Sequence, residues 1–138
     1  MKTLLKKEQR TLILLYYLKK KKILYNYLIT LGNKINFYKP KFINKKNILN
    51  GCKSQLWLGF LYKKRKIYVF SYSNSILIMG FSFLITKIYS NNFPIDIINH
   101  KTSLSYNSLL SELFSYNRTN TIKFILNKIK QEALKYLI

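Results

Sequence analysis

Apolar residues recur along this chain with two periods, and the change between them divides it. Leu4, Leu5, Leu12, Leu14, Leu15 and Leu18 stand among charged residues and predict a helix over residues 3–18, with a broad apolar stripe. Ile23, Leu24, Tyr27, Leu28, Leu31 and Ile35 follow at helical spacing and predict a second helix, its core-facing side opposed by Lys and Asn. Gly32 falls inside this second pattern. A glycine there costs about 1 kcal/mol relative to alanine, so the close approach of another helix is the expected reason for it. Pro40 ends the unit.

Beyond it the texture changes. Residues 41–50 are polar and Asn-rich, with Phe42, Ile43, Ile48 and Leu49 among them, and read as a short strand leading into Gly51. Residues 56–62 are apolar on both alternating faces, which predicts a strand buried on both sides. Lys63, Lys64, Arg65 and Lys66 read as an exposed hairpin turn, and residues 67–72 as the return strand. The polar cluster at residues 71–75 offers N-capping side chains to a helix over about 75–90, rich in Ile, Leu, Met and Phe and so largely buried. Pro94 suits the first turn of a short helix through Ile98. A polar connection at 99–105, a short helix around 106–114 and a last helix over 117–136 complete the chain. Ile122, Ile125, Leu126, Ile129 and Ala133 form the stripe of that last helix. The order predicts one α+β domain over residues 1–138: helices first, a small antiparallel sheet of about three strands, helices last. A chain of this length can bury about 68–70% of its unfolded surface.

Charge alters this picture less than its size suggests. There are 25 Lys+Arg against Glu8, Asp96, Glu112 and Glu132, a formal net charge of +21. Such a balance suits a nucleic-acid or anionic-membrane binder, because clustered cations gain from counterion release. But Ala133 is the only alanine, Val69 the only valine, and Arg10, Arg65 and Arg118 the only arginines, while Lys, Ile, Asn and Tyr abound. Drift toward A- and T-rich codons explains much of that basicity, and selection for phosphate binding would favour arginine. A basic RNA- or ribosome-associated protein is the alternative reading, and nucleic acid is not the expected partner. No signal peptide is expected either, since the apolar run at 11–18 leads into Lys19, Lys20, Lys21 and Lys22 rather than a small-residue cleavage site. The uncharged span 67–86 has the length of a membrane helix, but residues 71–75 interrupt it; a strand, a turn and a buried helix explain it better, and no membrane is expected.

One cysteine, Cys52, allows neither an intramolecular disulfide nor a CxxC pair, and no His/Cys/carboxylate cluster suggests a metal. A lone thiol fits a reducing compartment. The residues leave two readings of Cys52 open. It is a small buried apolar side chain, or a nucleophile displayed on a loop. Gly51 frees the backbone, Lys53, Ser54 and Gln55 suit a loop, and the positive field favours the thiolate. Hydrolysis at a cysteine needs a base, and the only histidine, His100, falls in a polar connection where an exposed loop side chain is expected. A thiolate without a base can still attack a sulfur atom on a partner and carry that sulfur away.

Gly51-Cys52-Lys53-Ser54-Gln55-Leu56-Trp57-Leu58 resembles the G-C-x-S-Q-V-W-hydrophobic signature of the SufE family of sulfur acceptors. Further along, Tyr25, Leu28, Ile29, Leu31 and Gly32 resemble that family's second helix. Gly80 stands where the family has a Lys-Gly pair. Phe93-Pro94-Ile95-Asp96-Ile97-Ile98 resembles its T-P-x-E/D-I-hydrophobic segment, and Leu113, Arg118 and Asn120 resemble the region before its last helix. The resemblance implies a SufE/IscU-like fold and a cytoplasmic protein, a monomer or homodimer with no cofactor of its own. Its partners would be the cysteine desulfurase SufS, which holds the pyridoxal phosphate, and the SufBCD scaffold of iron–sulfur cluster assembly. It makes Cys52 the persulfide site, Arg118 a partner-surface residue, and Gly51, Ser54, Gln55 and Trp57 the loop and its support. Departures are Tyr72-Ser73-Asn74-Ser75 in place of a D-S-D/E-A segment, Met79 in place of lysine, and Thr121 in place of glycine. The closely similar CsdE branch is left open.

Overall fold

The first turn of α1 (Leu4–Lys20) is set by Thr3, whose hydroxyl accepts from the backbone N–H of Lys6 at 3.2 Å. This computed structural model describes residues 3–35, 55–102 and 116–137, for residues 116–119 the backbone alone. The stripe of α1 is broad, as its sequence indicates: Leu4, Leu15 and Leu18 are buried while Leu5, Ile13, Tyr16 and Tyr17 face outward. Lys22, with φ of 62°, turns the chain into α2 (Leu24–Ile35), of which Leu24 and Leu28 enter the core. Ile23, expected inside, is 44% exposed, because it precedes the helix and the turn points it away.

The centre of the fold is the crossing of α2 with α3 (Ile76–Tyr89). A Cβ on Gly32 would collide with the Ile76 carbonyl, and one on Gly80 with the Leu28 carbonyl and, at 3.1 Å, with the Gly32 nitrogen. The two glycines face each other across the crossing, which is the close approach expected at Gly32. The Ser75 hydroxyl caps α3 by accepting from Ile78 N–H, and the helix is buried nearly throughout. Ser82 and Thr86 tolerate that burial by donating to Met79 and Phe83 carbonyls, a bond within the same helix.

Strands β1 (Leu56–Lys63) and β2 (Lys66–Ser73) form an antiparallel hairpin in register from Leu56↔Ser73 to Lys63↔Lys66. Lys64 and Arg65 make the two-residue turn with φ of 53° and 67°, the sense that matches strand twist. Leu56, Leu58, Ile67 and Val69 share the inner face and are buried, whereas Leu61 and Phe70 on the other face are 50% and 46% exposed. Burial on both sides, expected for residues 56–62, is therefore corrected to one side: among the described residues, only one face of the hairpin has helices against it.

The sheet has two strands among the described residues, not about three. The outer edge of β2 is closed by a turn instead of a strand. Ile67 N–H donates to Asn92 O at 2.9 Å, Asn91 N–H to Ile67 O at 2.8 Å, and Val69 N–H to the Ser90 hydroxyl at 3.0 Å. The strand expected at 41–50 and the helix expected around 106–114 lie outside the described residues. The uncharged span 67–86 resolves into β2, a turn and α3, and no helix among the described residues is long and apolar enough to cross a membrane. Pro94 opens the short α4 (Pro94–Asn99), which packs with α5 (Tyr116–Lys135). The predicted stripe of α5, from Ile122 to Ala133, is buried at every position.

Candidate functional site

Of the site residues read from sequence, Gly51, Cys52 and Ser54 lie outside the described residues, and Arg118 is placed only as a backbone position in α5. Gln55 and Trp57 are described, and they show what the Cys52 segment joins. Gln55 is tied to the turn between β2 and α3 on three sides. Its N–H donates to Asn74 Oδ1 at 3.1 Å, its carbonyl accepts from the Ser73 hydroxyl at 2.7 Å, and its side-chain oxygen accepts from Asn74 Nδ2 at 3.3 Å. Ser73 is buried; its hydroxyl also accepts from Ser75 N–H at 3.1 Å, and its own N–H points to Met79 sulfur at 3.3 Å. Trp57 is half-buried and pairs across the hairpin with Tyr72, ring centroids 6.1 Å apart.

The segment that departs from the resembled pattern, residues 72–75, is thus the one that holds the frame. Ser73 keeps the serine of that pattern and donates to the Gln55 carbonyl, while at Asn74, where the pattern has a carboxylate, the amide both accepts from the Gln55 N–H and donates to its side-chain oxygen; an ionised carboxylate there could only accept. Cys52 stands three residues before this anchored Gln55.

A second polar group lies on the far side of α3, and no reading of the sequence anticipates it. Glu8 is buried, and one of its carboxylate oxygens meets His100 Nε2 at 2.7 Å and accepts from the Thr102 hydroxyl at 2.8 Å. The His100 side chain is 8% exposed, so the exposed loop histidine of the sequence reading is corrected: the buried carboxylate draws it inward. Tyr89 lies edge-on to the imidazole at 5.9 Å, and its hydroxyl is buried with no hydrogen-bond partner among the described residues. Burial first, and Glu8 in addition, push the Tyr89 phenol up to about 12, with the nearby Thr102 hydroxyl opposing them. The signal in the sequence was the spacing Leu4, Glu8, Leu15, which puts Glu8 on the buried side of α1. Among the described residues, no three His, Cys, Asp or Glu gather as metal ligands would.

Comparison with known proteins gives three findings. The family model SufE, described as an Fe-S metabolism associated domain, matches residues 10–133. The chain is 28% identical over 116 residues to the cysteine desulfuration protein SufE of Wigglesworthia glossinidia brevipalpis, covering 83% of this chain and 81% of that one. Its fold is similar, with a TM-score of 0.72 and 15% identity, to the solution structure of a hypothetical protein from Thermus thermophilus, over 95% of this chain and 96% of the other.

Proposed function

Since this chain belongs to the SufE family, and so to the proteins of iron–sulfur metabolism that accept sulfur, we propose that Cys52 takes a sulfur atom from a cysteine desulfurase. The Cys52 thiolate attacks the outer sulfur of the desulfurase's persulfide. A new S–S bond forms on Cys52, the desulfurase S–S bond breaks, and the desulfurase cysteine leaves as a thiolate. The proton stays on the transferred sulfur, so Cys52–S–SH is formed with no net oxidation.

The observation that carries this reading is the anchoring of Gln55 by Ser73 and Asn74, three residues from the chain's one thiol and inside the signature segment. The Gln55 end of the cysteine segment is thereby tied to the fold, while a partner supplies the remaining chemistry. Arg118 is assigned to the partner surface, and Gly51, Ser54 and Trp57 to the loop and its support. The desulfurase is of the SufS type and is stimulated by this chain; it brings the pyridoxal phosphate, and this chain has no cofactor of its own. The sulfur then passes to a SufBCD scaffold in the cytoplasm, and residues 1–138 act as a single domain, as a monomer or homodimer.

Cysteine turnover by the cognate desulfurase, measured with and without this protein, tests the proposal. Wild type accelerates turnover, and mass spectrometry finds one added sulfur on Cys52. Cys52→Ser still binds the desulfurase but gives no acceleration; full acceleration by that variant would sink the proposal.

A further inference from the structure

Between α1, α2 and α3 lies a half-open hollow of about 280 Å³, away from Gln55 and from the Glu8 group. Leu14, Tyr27, Leu84 and Ile88 make its apolar floor. Lys7, Arg10 and Lys87 stand at its rim, drawn from two helices: Lys7 and Arg10 are one turn apart on α1, and Lys87 is one turn from Leu84 on α3.

Among the described residues no carboxylate pairs with these cations, and the Lys87 ammonium stands 5.8 Å from the centre of the Phe83 ring. Lys7 is half-buried, and its ammonium donates to the Ser90 carbonyl at 3.0 Å, which uses one of three donors. Burial, and then the charges of Lys66 and Lys87, hold Lys7 below the ordinary lysine range. The carboxylates among the described residues are placed elsewhere. Glu8 bonds His100 and Thr102, Glu132 bonds Lys135, and Asp96 is on α4. Arg10 is one of only three arginines in a chain with 25 Lys+Arg, and its planar fork suits a phosphate better than an ammonium does.

We propose that this hollow binds a phosphate monoester carrying one small aromatic or apolar ring, the phosphate at Lys7, Arg10 and Lys87 and the ring over Leu14, Tyr27, Leu84 and Ile88. Charge selects the head, because two negative charges relieve the repulsion among the rim cations. Volume selects the body, since the hollow is at the small end of ligand pockets, roughly 300–1,000 Å³, and admits a single ring.

Phenyl phosphate and inorganic phosphate, titrated into the ¹⁵N-labelled full chain at fixed ionic strength, distinguish this site from general attraction to a highly cationic protein. Phenyl phosphate saturates one site, shifts amides within residues 7–14 and 84–88, and binds about tenfold or more tighter than inorganic phosphate. The double variant R10Q/K87Q weakens phenyl phosphate by about tenfold or more, the equivalent of about 1.4 kcal/mol. Lys123→Gln, at an exposed position on α5, leaves binding unchanged. Non-saturating shifts, equal affinity for the two phosphates, or equal weakening by the Lys123 variant would each overturn the assignment. The amide shifts in wild type test it independently of any variant's folding.

Discussion

A carboxylate leaves water for a protein interior only where polar partners meet it, and Glu8 has two on one oxygen, His100 Nε2 and the Thr102 hydroxyl. Removing one partner of such a buried pair leaves the others unsatisfied. Glu8→Ala is therefore expected to lower unfolding free energy by about 3 kcal/mol, read as a shift in urea midpoint at constant slope. Glu132→Ala, which breaks the pair with the exposed Lys135, is expected to cost about 1 kcal/mol or less. Tyr89 beside this group gives a pH signature. Its phenol titrates near 12 in the fold against an ordinary value of 10, so the unfolded chain loses this proton first. Stability contributed by the neutral phenol is complete below about pH 10 and disappears as pH rises toward 12. Tyr89→Phe removes that limb. The wild-type-minus-variant difference in stability falls by roughly 2–3 kcal/mol between pH 9 and 12, while at pH 7 the two lie within about 1 kcal/mol because the neutral hydroxyl has no well-formed hydrogen bond among the described residues. A difference that stays flat across this range contradicts the assignment.

At the scale of elements, the α2–α3 crossing is the least forgiving contact. Each glycine there meets backbone atoms rather than the flexible end of a side chain, so a methyl group has to push two helices apart. Gly80→Ala is expected to cost about 3 kcal/mol or more, against the few tenths or more that alanine usually adds in a helix interior; thermal unfolding of the variant decides between these. The hairpin is more tolerant on its outward face, where Leu61 and Phe70 are half-exposed. Its far edge is closed by the Ser90–Asn92 turn, which binds Ile67 and Val69 where a further strand would otherwise pair.

For the whole molecule, the order and type of the described elements could be read from the apolar period, because periods of 3.6 and 2 leave different imprints. The Gly32 contact and the stripe of α5 followed from the same reasoning. What escaped depended on which residues meet in space. Residues 56–62 carry apolar side chains on both faces, and sequence alone does not say that Leu61 on one of them is half-exposed. Ile23 fits the helical stripe but stands before the helix begins. His100 lies in a polar connection, and only the fold brings it to Glu8, 92 residues away. For the candidate site, the sequence supplied the signature around Cys52, while the attachment of Gln55 to Ser73 and Asn74 needed strands β1 and β2 in register. The rim brings Lys87 of α3 to Lys7 and Arg10 of α1, 80 and 77 residues away in sequence, beyond any local pattern.

The span of the Glu8 contacts has a consequence for how the protein is made. The partners of Glu8 are 92 and 94 residues further along the chain. During synthesis α1 is complete while His100 and Thr102 have yet to be added. Docking α1 on α2 and α3 at that stage would put an unpaired carboxylate out of water, at a cost of several kcal/mol. On this ground α1 is expected to dock after the α2–α3 crossing and the hairpin have formed, so that the segment translated first is among the last to settle.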